Sequence, residues 1–230
     1  VTLIYSLVSR YSPQLVNVYA IDFSSKMLGA FEGLAHVGGV MFENDGERIA
    51  KFFTMMGSML EERKAMLRGG NYRQYVQAAA ASSGTLDEAP LPAVIVAIDN
   101  YSAFAAKTEN VYDDFILTLA KEGVSCGIFL VITAAGFSVS EIPMRLGENF
   151  RTVLCLEMND KFAYADAMRT LHIEVMPEEN VKGRGLAKVG DAILEFQTAL
   201  PAEAEDDFSR MDKIRSHCQQ LNACWQGRHA

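Results

Sequence analysis

Asp99 and Asn100 are the residues whose types and positions point most directly to chemistry. They follow an apolar run over residues 93–98, which is typical of a buried strand that delivers a polar side chain to the edge of a parallel sheet. This is the Walker B layout, in which the carboxylate, here Asp99, would hold Mg²⁺ beside a nucleotide. A second acid commonly follows and positions the attacking water, but the Asn100 amide cannot take a proton. Taken alone, an Asp that caps a turn after a core strand explains the pattern equally well.

Asp22 and Thr133 also stand at or near the ends of apolar runs, over residues 16–21 and 123–135. Ligands of open parallel sheets bind at the carboxyl ends of the strands. The sequence therefore predicts that Asp22, Asp99, Asn100 and Thr133 border one vestigial nucleotide site, with Asp99 as the Mg²⁺ ligand when nucleotide binds. Thr133 either senses the nucleotide or caps its own strand, and the cap is the simpler interpretation.

The order of these segments resembles that of the FtsK/SpoIIIE family of P-loop motors. After Asp22 come a small-residue turn and an Ala-His-Val-Gly segment at residues 35–38, where the family has Pro-His-Val-Gly, and a Gly-Arg-Gly turn follows at residues 183–185. Residues 195–201 and 221–228 are similar to the final ATPase module of the EssC/EccC type VII secretion motors. The resemblance covers essentially the whole chain.

The resemblance implies a RecA-like P-loop NTPase fold, an α/β architecture with a mainly parallel central sheet flanked by helices. It implies core strands within residues 123–135 and 148–156. Residues 1–201 would form the domain, and residues 202–230 a C-terminal helix that packs on it or leads to a neighbouring module.

Laid along this chain, the family pattern is incomplete at the places that serve hydrolysis. The phosphate-binding strand and the Gly-x-x-x-x-Gly-Lys-Ser/Thr turn would precede Val1. Asn100 replaces a second acid, Ala135 replaces a polar residue that senses the nucleotide, and Val153 replaces a basic residue. The resemblance therefore implies that ATP and Mg²⁺ bind in the full-length protein, whereas this chain alone binds neither tightly and is inactive.

Two arginines are candidates for contacts with a phosphate or a neighbouring subunit. Arg184 lies between Gly183 and Gly185, and it either makes such a contact or is an exposed turn residue. Arg151 lies two residues from Val153, on the same side of a strand. A basic group that one subunit supplies to the nucleotide site of its neighbour can raise the rate of phosphoryl transfer by about 10³ to 10⁵.

Composition narrows the function classes. The chain has 230 residues with 50% hydrophobic side chains, which is enough for a large α/β core. Its net charge of −8 disfavours DNA as a partner, because few DNA phosphates could be neutralised. Its four cysteines have no paired spacing, which predicts a reducing compartment and no zinc site. No signal or membrane-spanning segment is expected within these residues.

Hydrophobic periodicity predicts the remaining elements. Helices are expected over residues 1–11, 45–68 and 71–81, and short strands over residues 186–189 and 193–198. An acidic start and an apolar face predict the last helix. That face comprises Phe208, Met211, Ile214, Cys218, Leu221 and Trp225.

For function, the resemblance implies a module on the cytoplasmic side of a membrane-anchored secretion motor. In that family the last module is implicated in docking the helical C-terminal signal of small Trp-x-Gly substrates. The other expected partners are the adjacent ATPase modules of the same protein and, in a homo-oligomer, further copies of it. Two other classes stay open: an ATP-hydrolysing DNA translocase and a purely structural ring module. A basic channel loop would favour the translocase, and a surface without an apolar pocket the structural module.

Overall fold

In the computed structural model, four strands form a parallel sheet: β1 (Val16–Asp22), β2 (Val37–Phe42), β3 (Ala93–Asp99) and β4 (Ile128–Ile132). Their order across the sheet is β2-β1-β3-β4. The central strands read as continuous apolar runs because both of their faces are buried. The structure describes residues 1–83, 91–138, 140–158, 160–227 and 229–230. The predicted α/β class with a parallel sheet flanked by helices is confirmed.

Helices cover both faces of the parallel sheet. One face packs on the helix Thr2–Val8, on a 3₁₀ turn over Met27–Phe31 and on the last helix, as shown by a single core cluster that includes Ile4, Val18 and Ile214. The other face meets the helix Gly46–Leu67, where the Tyr19 and Phe52 rings lie 5.6 Å apart. The helices are α1 (Thr2–Val8), α2 (Gly46–Leu67), α3 (Tyr72–Ser83), α4 (Tyr101–Lys107), α5 (Asp113–Glu122), α6 (Met144–Gly147), α7 (Lys161–Met168) and α8 (Asp207–Cys224).

The chain divides into two compact units at boundaries that differ from the predicted 1–201 and 202–230. The first unit is Val1–Thr133 together with Pro201–Ala230, and the second is Ala134–Leu200. Of the two predicted arrangements for the last helix, α8 packs on the first unit, where Met211, Ile214 and Cys218 enter the core. Phe208 was expected on the same apolar face but is 74% exposed. Arg228, in the segment similar to EssC/EccC, lies outside the described residues.

The strand predicted within residues 148–156 exists, but its expected place in the central sheet is wrong. It is β5 (Val153–Leu156), which pairs antiparallel with β6 (Arg184–Val189), and β6 pairs with β7 (Ala192–Gln197). The hairpin between β6 and β7 closes at Gly190, whose φ is +62°. The expected place came from the family resemblance, because an apolar run by itself identifies a strand without identifying its partner.

Arg63 is a buried cation that ties α2 to the amino ends of two strands. It is 4% exposed, and its guanidinium donates to the carbonyl oxygens of Pro92 (2.8 Å), Cys126 (3.0 Å) and Gly127 (3.2 Å). Pro92 immediately precedes β3 and Gly127 immediately precedes β4. One side chain therefore satisfies three carbonyls at the edge of the sheet opposite Asp99.

None of the described helices is both long and apolar enough to cross a membrane.

Arg63→Met should lower the free energy of unfolding by about 3 kcal/mol, because the carbonyl oxygens of Pro92 and Cys126 lose the guanidinium donor and that of Gly127 keeps only the Val94 N–H. Lys64→Met is the matched control, since Lys64 is the next residue of α2 and makes only surface ion pairs with Glu61 and Glu122. Urea denaturation of both variants measures the difference. Equal midpoints for the two variants would contradict the structural role of Arg63.

Candidate functional site

The parallel register brings four of the predicted site residues together at the carboxyl edge of the sheet. Asp22 and Asp99 are directly opposite each other as the last residues of β1 and β3. Thr133 follows β4, and its N–H donates to the Ile98 carbonyl oxygen at 3.0 Å. Asn100 is the next residue after Asp99. The predicted grouping of Asp22, Asp99, Asn100 and Thr133 therefore has a geometric basis.

Asp22 is buried, and its carboxylate organises the turn that follows β1. Oδ1 accepts from the N–H groups of Ser24 (3.0 Å) and Lys26 (3.2 Å), and Oδ2 accepts from the N–H of Leu28 (3.0 Å). The side chain is 1% exposed. Hydrogen bonds from several N–H groups stabilise a buried carboxylate. Asp22 thus shapes the border of the site through backbone contacts.

Asp99 and Thr133 form a side-chain pair at the strand ends. The Thr133 hydroxyl donates to Asp99 Oδ1 and accepts from the N–H of Asn100 at 3.0 Å. Asp99 is half-buried and Thr133 is exposed, so this carboxylate is open to solvent, unlike that of Asp22. The hydroxyl of Thr133 therefore joins the end of β4 to the residues that follow β3.

Asn100 is held as the N-cap of α4. It has left-handed backbone angles, φ 63° and ψ 70°, a region that Asn enters more readily than most residues. Its Oδ1 accepts from the Ser102 hydroxyl (3.2 Å) and the Ala103 N–H (3.4 Å), while its Nδ2 donates to the Phe23 carbonyl oxygen (3.2 Å). Both ends of the amide are occupied by local contacts. This geometry fits a cap that closes the turn between β3 and α4.

The residues present fit part of a Mg²⁺-nucleotide site. Mg²⁺ is usually held by one or two carboxylates together with substrate phosphates and water, and the accessible Asp99 with the Thr133 hydroxyl supplies that kind of ligand. Bound Mg²⁺ would neutralise phosphate charge there. The 230 residues contain no Gly-x-x-x-x-Gly-Lys-Ser/Thr segment to cradle the phosphates.

Arg151 and Arg184 lie in the second unit. Arg184 is in β6, and it forms ion pairs with Glu178 (3.2 Å) and Glu195 (3.5 Å). Two carboxylates of its own unit therefore offset its charge. Arg151 is exposed and precedes β5. The proposed phosphate or inter-subunit roles of both residues stay predictions.

The turn amides of Ser24, Lys26 and Leu28 were not predicted from the sequence. The signal that could have identified them is Asp22 followed, after Phe23, by the polar residues Ser24, Ser25 and Lys26, because Asp favours side-chain hydrogen bonds to backbone N–H groups two or more residues ahead.

Several known proteins are similar to this chain in sequence. The sequence pattern of the FtsK/SpoIIIE family matches residues 1–139. The ESX secretion system protein EccC of Geobacillus thermodenitrificans is 28% identical over 98% of this chain. The match spans 14% of that relative, so this chain corresponds to a small part of its length.

Two of the similar solved structures contain ATPases 2 and 3 of EssC or EccC. EssC (ATPases 2 and 3) from Geobacillus thermodenitrificans has a TM-score of 0.79 and 27% identity, over 98% of this chain and 41% of the other. Thermomonospora curvata EccC (ATPases 2 and 3) in complex with a signal sequence peptide has a TM-score of 0.79 and 26% identity, over 100% of this chain and 40% of the other.

Asp22→Asn should lower the free energy of unfolding by about 2 kcal/mol. The amide has only one oxygen for three N–H donors, and its own NH₂ group would face one of them. Asp99→Asn is the control, because it keeps an oxygen that can accept from Thr133 and should change stability little. Thermal or urea denaturation compares the two. A smaller loss for Asp22→Asn than for Asp99→Asn would refute the structural role of Asp22.

Proposed function

This chain belongs to the FtsK/SpoIIIE family, and we propose that it is the C-terminal ATPase module of a type VII secretion motor of the EssC/EccC kind. In this proposal the module is degenerate, and it serves substrate docking and assembly rather than fast ATP hydrolysis. The full protein is membrane-anchored with this module in the cytoplasm. The similarity to ATPases 2 and 3 of EssC and EccC supports the assignment.

The geometry of Asn100 is the observation that carries the loss of hydrolysis. An amide has no proton-accepting group of useful basicity, and general-base catalysis typically contributes about 10² to 10⁴ in rate. Asn100 is also fixed by its left-handed backbone and by contacts at both ends of its amide. The residue after Asp99 is therefore suited to a structural cap and unsuited to activating water.

Substrate docking is supported by the relative that was solved in complex with a signal sequence peptide. We propose that this chain binds the helical C-terminal signal of small Trp-x-Gly-type secreted proteins and contacts adjacent ATPase modules of its own protein, in a possible homo-oligomer. A module that does not hydrolyse ATP can still act by binding, because function depends on particular sites and not on the fold as a whole. ATP and Mg²⁺ binding is proposed for the full-length protein only.

The competing function is an ATP-hydrolysing DNA translocase. The chain has 29 acidic and 21 basic side chains, so counterion release on DNA would be small. Micromolar affinity for duplex DNA at physiological salt, with a steep salt dependence, would favour the translocase.

Neither the chain nor its Asn100→Glu variant should hydrolyse ATP above background. Glutamate restores a base but lacks a donor for the Phe23 carbonyl and disfavours left-handed backbone angles, and the 230 residues lack a phosphate-binding turn that would position ATP. Steady-state phosphate release measures both proteins. A clear rate in either one that disappears on Asp99→Ala would contradict the prediction.

The chain should bind a substrate signal peptide without nucleotide. The probe is a synthetic peptide with the sequence of the helical C-terminal signal of a small Trp-x-Gly-type secreted protein, and a scrambled peptide is the control. Truncating one apolar anchor of the peptide should cost about 2 kcal/mol or more, and changing a rim charge should cost little. Calorimetry measures each affinity. An absence of heat at high micromolar peptide, with the chain folded, would leave the structural module as the better proposal.

A further inference from the structure

One face of the antiparallel sheet in the second unit, here called the outer face, consists of apolar residues alone. Residues that are directly opposite in antiparallel strands share a face, and so do residues two apart along one strand. Leu154 of β5 is opposite Ala187 of β6, which is opposite Leu194 of β7. The register therefore assigns eight residues to the outer face: Leu154, Leu156, Gly185, Ala187, Val189, Ala192, Leu194 and Phe196.

The core of the second unit lies against the opposite face of this sheet. Cys155 and Leu186 are buried there with Tyr164, Ala167 and Met168 of α7. The core therefore does not account for the apolar residues of the outer face. Four of those residues are more than half exposed: Leu154 (62%), Leu156 (54%), Val189 (59%) and Leu194 (53%).

The charged residues of the three strands all lie on the core side of the sheet. Arg184 forms an ion pair with Glu195 on the neighbouring strand (3.5 Å), and Lys188 Nζ donates to the Met168 carbonyl oxygen (2.9 Å). An antiparallel sheet with one face in water normally has its polar side chains on that face. Here the outer face has none, which is typical of a surface that contacts another element.

The size of the outer face limits what can cover it. Three strands of up to six residues, about 4.8 Å apart and with a rise of about 3.4 Å per residue, give a surface of roughly 300 Å² with their side chains. A stable pair of protein copies buries about 800 Å² on each partner, so this face alone is too small to hold a second copy. One α-helix, about 10 Å in diameter and about 13 residues long, is enough to cover it.

The absence of charge indicates the kind of helix that fits. The side chains of the outer face offer neither an ion pair nor a hydrogen bond, so a helix is held there by the burial of apolar surface. Such a helix needs an apolar stripe toward the sheet and a polar side toward water, which makes it amphipathic. A helix layer on a sheet is a common arrangement of secondary structure in α/β and α+β domains.

The relatives indicate where that helix comes from. The match to EssC covers 41% of a solved chain that contains ATPases 2 and 3, so a further ATPase belongs to the same polypeptide in that relative. A helix in the same polypeptide is present at a high effective concentration and can cover the face permanently. A substrate that binds and leaves would expose the four large apolar side chains repeatedly, which favours aggregation.

We propose that the outer face binds one amphipathic helix of the adjacent ATPase module of the same protein. The apolar stripe of that helix packs on Leu154, Leu156 and Leu194, and its polar side stays in water. This inference rests on the proposed function as one module of a multi-ATPase motor, and it identifies the surface through which the neighbouring module is held.

Methyl nuclear magnetic resonance with a water-soluble gadolinium chelate tests the surface. The chelate accelerates the relaxation of methyl groups that water can reach. In this chain alone, we expect strong acceleration at the leucines of the outer face. In the protein's last two ATPase modules, expressed as one polypeptide, the acceleration at these leucines should be lost. Leu171 is the control, since it belongs to the second unit, lies outside the outer face and is 105% exposed, so it should relax rapidly in both proteins.

Two substitutions in the two-module protein test the cause of the protection. Leu154→Thr combined with Leu194→Thr keeps residues that favour strands and removes two apolar anchors, so acceleration should return at Leu156 and Val189. Val189→Thr, which changes shape very little, is the milder variant if the double variant does not fold, and it should restore acceleration at Leu156 in part. Leu171→Thr should leave the protection of the outer face unchanged.

The other outcomes each overturn the inference. Slow relaxation of the outer face in this chain alone would mean that the chain covers its own surface, and protection that grows with the concentration of this chain would assign the face to a second copy. Protection that appears only when the signal peptide is added would assign it to the substrate. Protection in the two-module protein that is confined to other residues would overturn this surface and leave the module assignment intact.

Discussion

The in-register parallel pairing of β1 with β3 is the constraint on which the rest of the first unit depends. Side chains alternate between the faces of a strand, so a slip of one residue would move every buried side chain of β1 to the opposite face. Ile21 and Ile98, which stand opposite each other, are 0% and 1% exposed. Their burial fixes the register, and the register alone places Asp22 and Asp99 side by side at the edge.

At that edge, the same polar side chains can serve either as hydrogen-bond partners of the backbone or as ligands and catalytic groups. Four strands end there, and the N–H and carbonyl groups of the following turns need partners because buried backbone groups are costly when unpaired. Asp22 supplies acceptors for three N–H groups, and Asn100 supplies both an acceptor and a donor. These contacts require a carboxylate and an amide at these positions whether or not a nucleotide is ever hydrolysed. Their presence is therefore stronger evidence for the fold than for catalysis.

This competition also explains which features the sequence could predict. Apolar runs and helical periodicity indicated β1, β3, β4, α2 and α8, since burial directly determines side-chain type. The pairing of β5 with β6 depends on partners distant in sequence, and Arg63 is buried only because three carbonyl oxygens converge on it. The cap role of Asn100 depends on its backbone angles, which residue type alone does not fix. The sequence thus predicted that Asp22, Asp99, Asn100 and Thr133 meet at one sheet edge, and it could not predict how many of their polar groups are occupied by structural contacts.

Helices α1 and α8 pack on the same face of the parallel sheet. Ile4 and Val8 of α1 lie in one core with Ile214 and Cys218 of α8. The Asn222 side chain of α8 also accepts from the Ala35 N–H and donates to the Gly33 carbonyl oxygen, which ties α8 to the loop before β2. The last helix is therefore part of the core of the first unit, although the whole second unit separates it in sequence from the rest of that core.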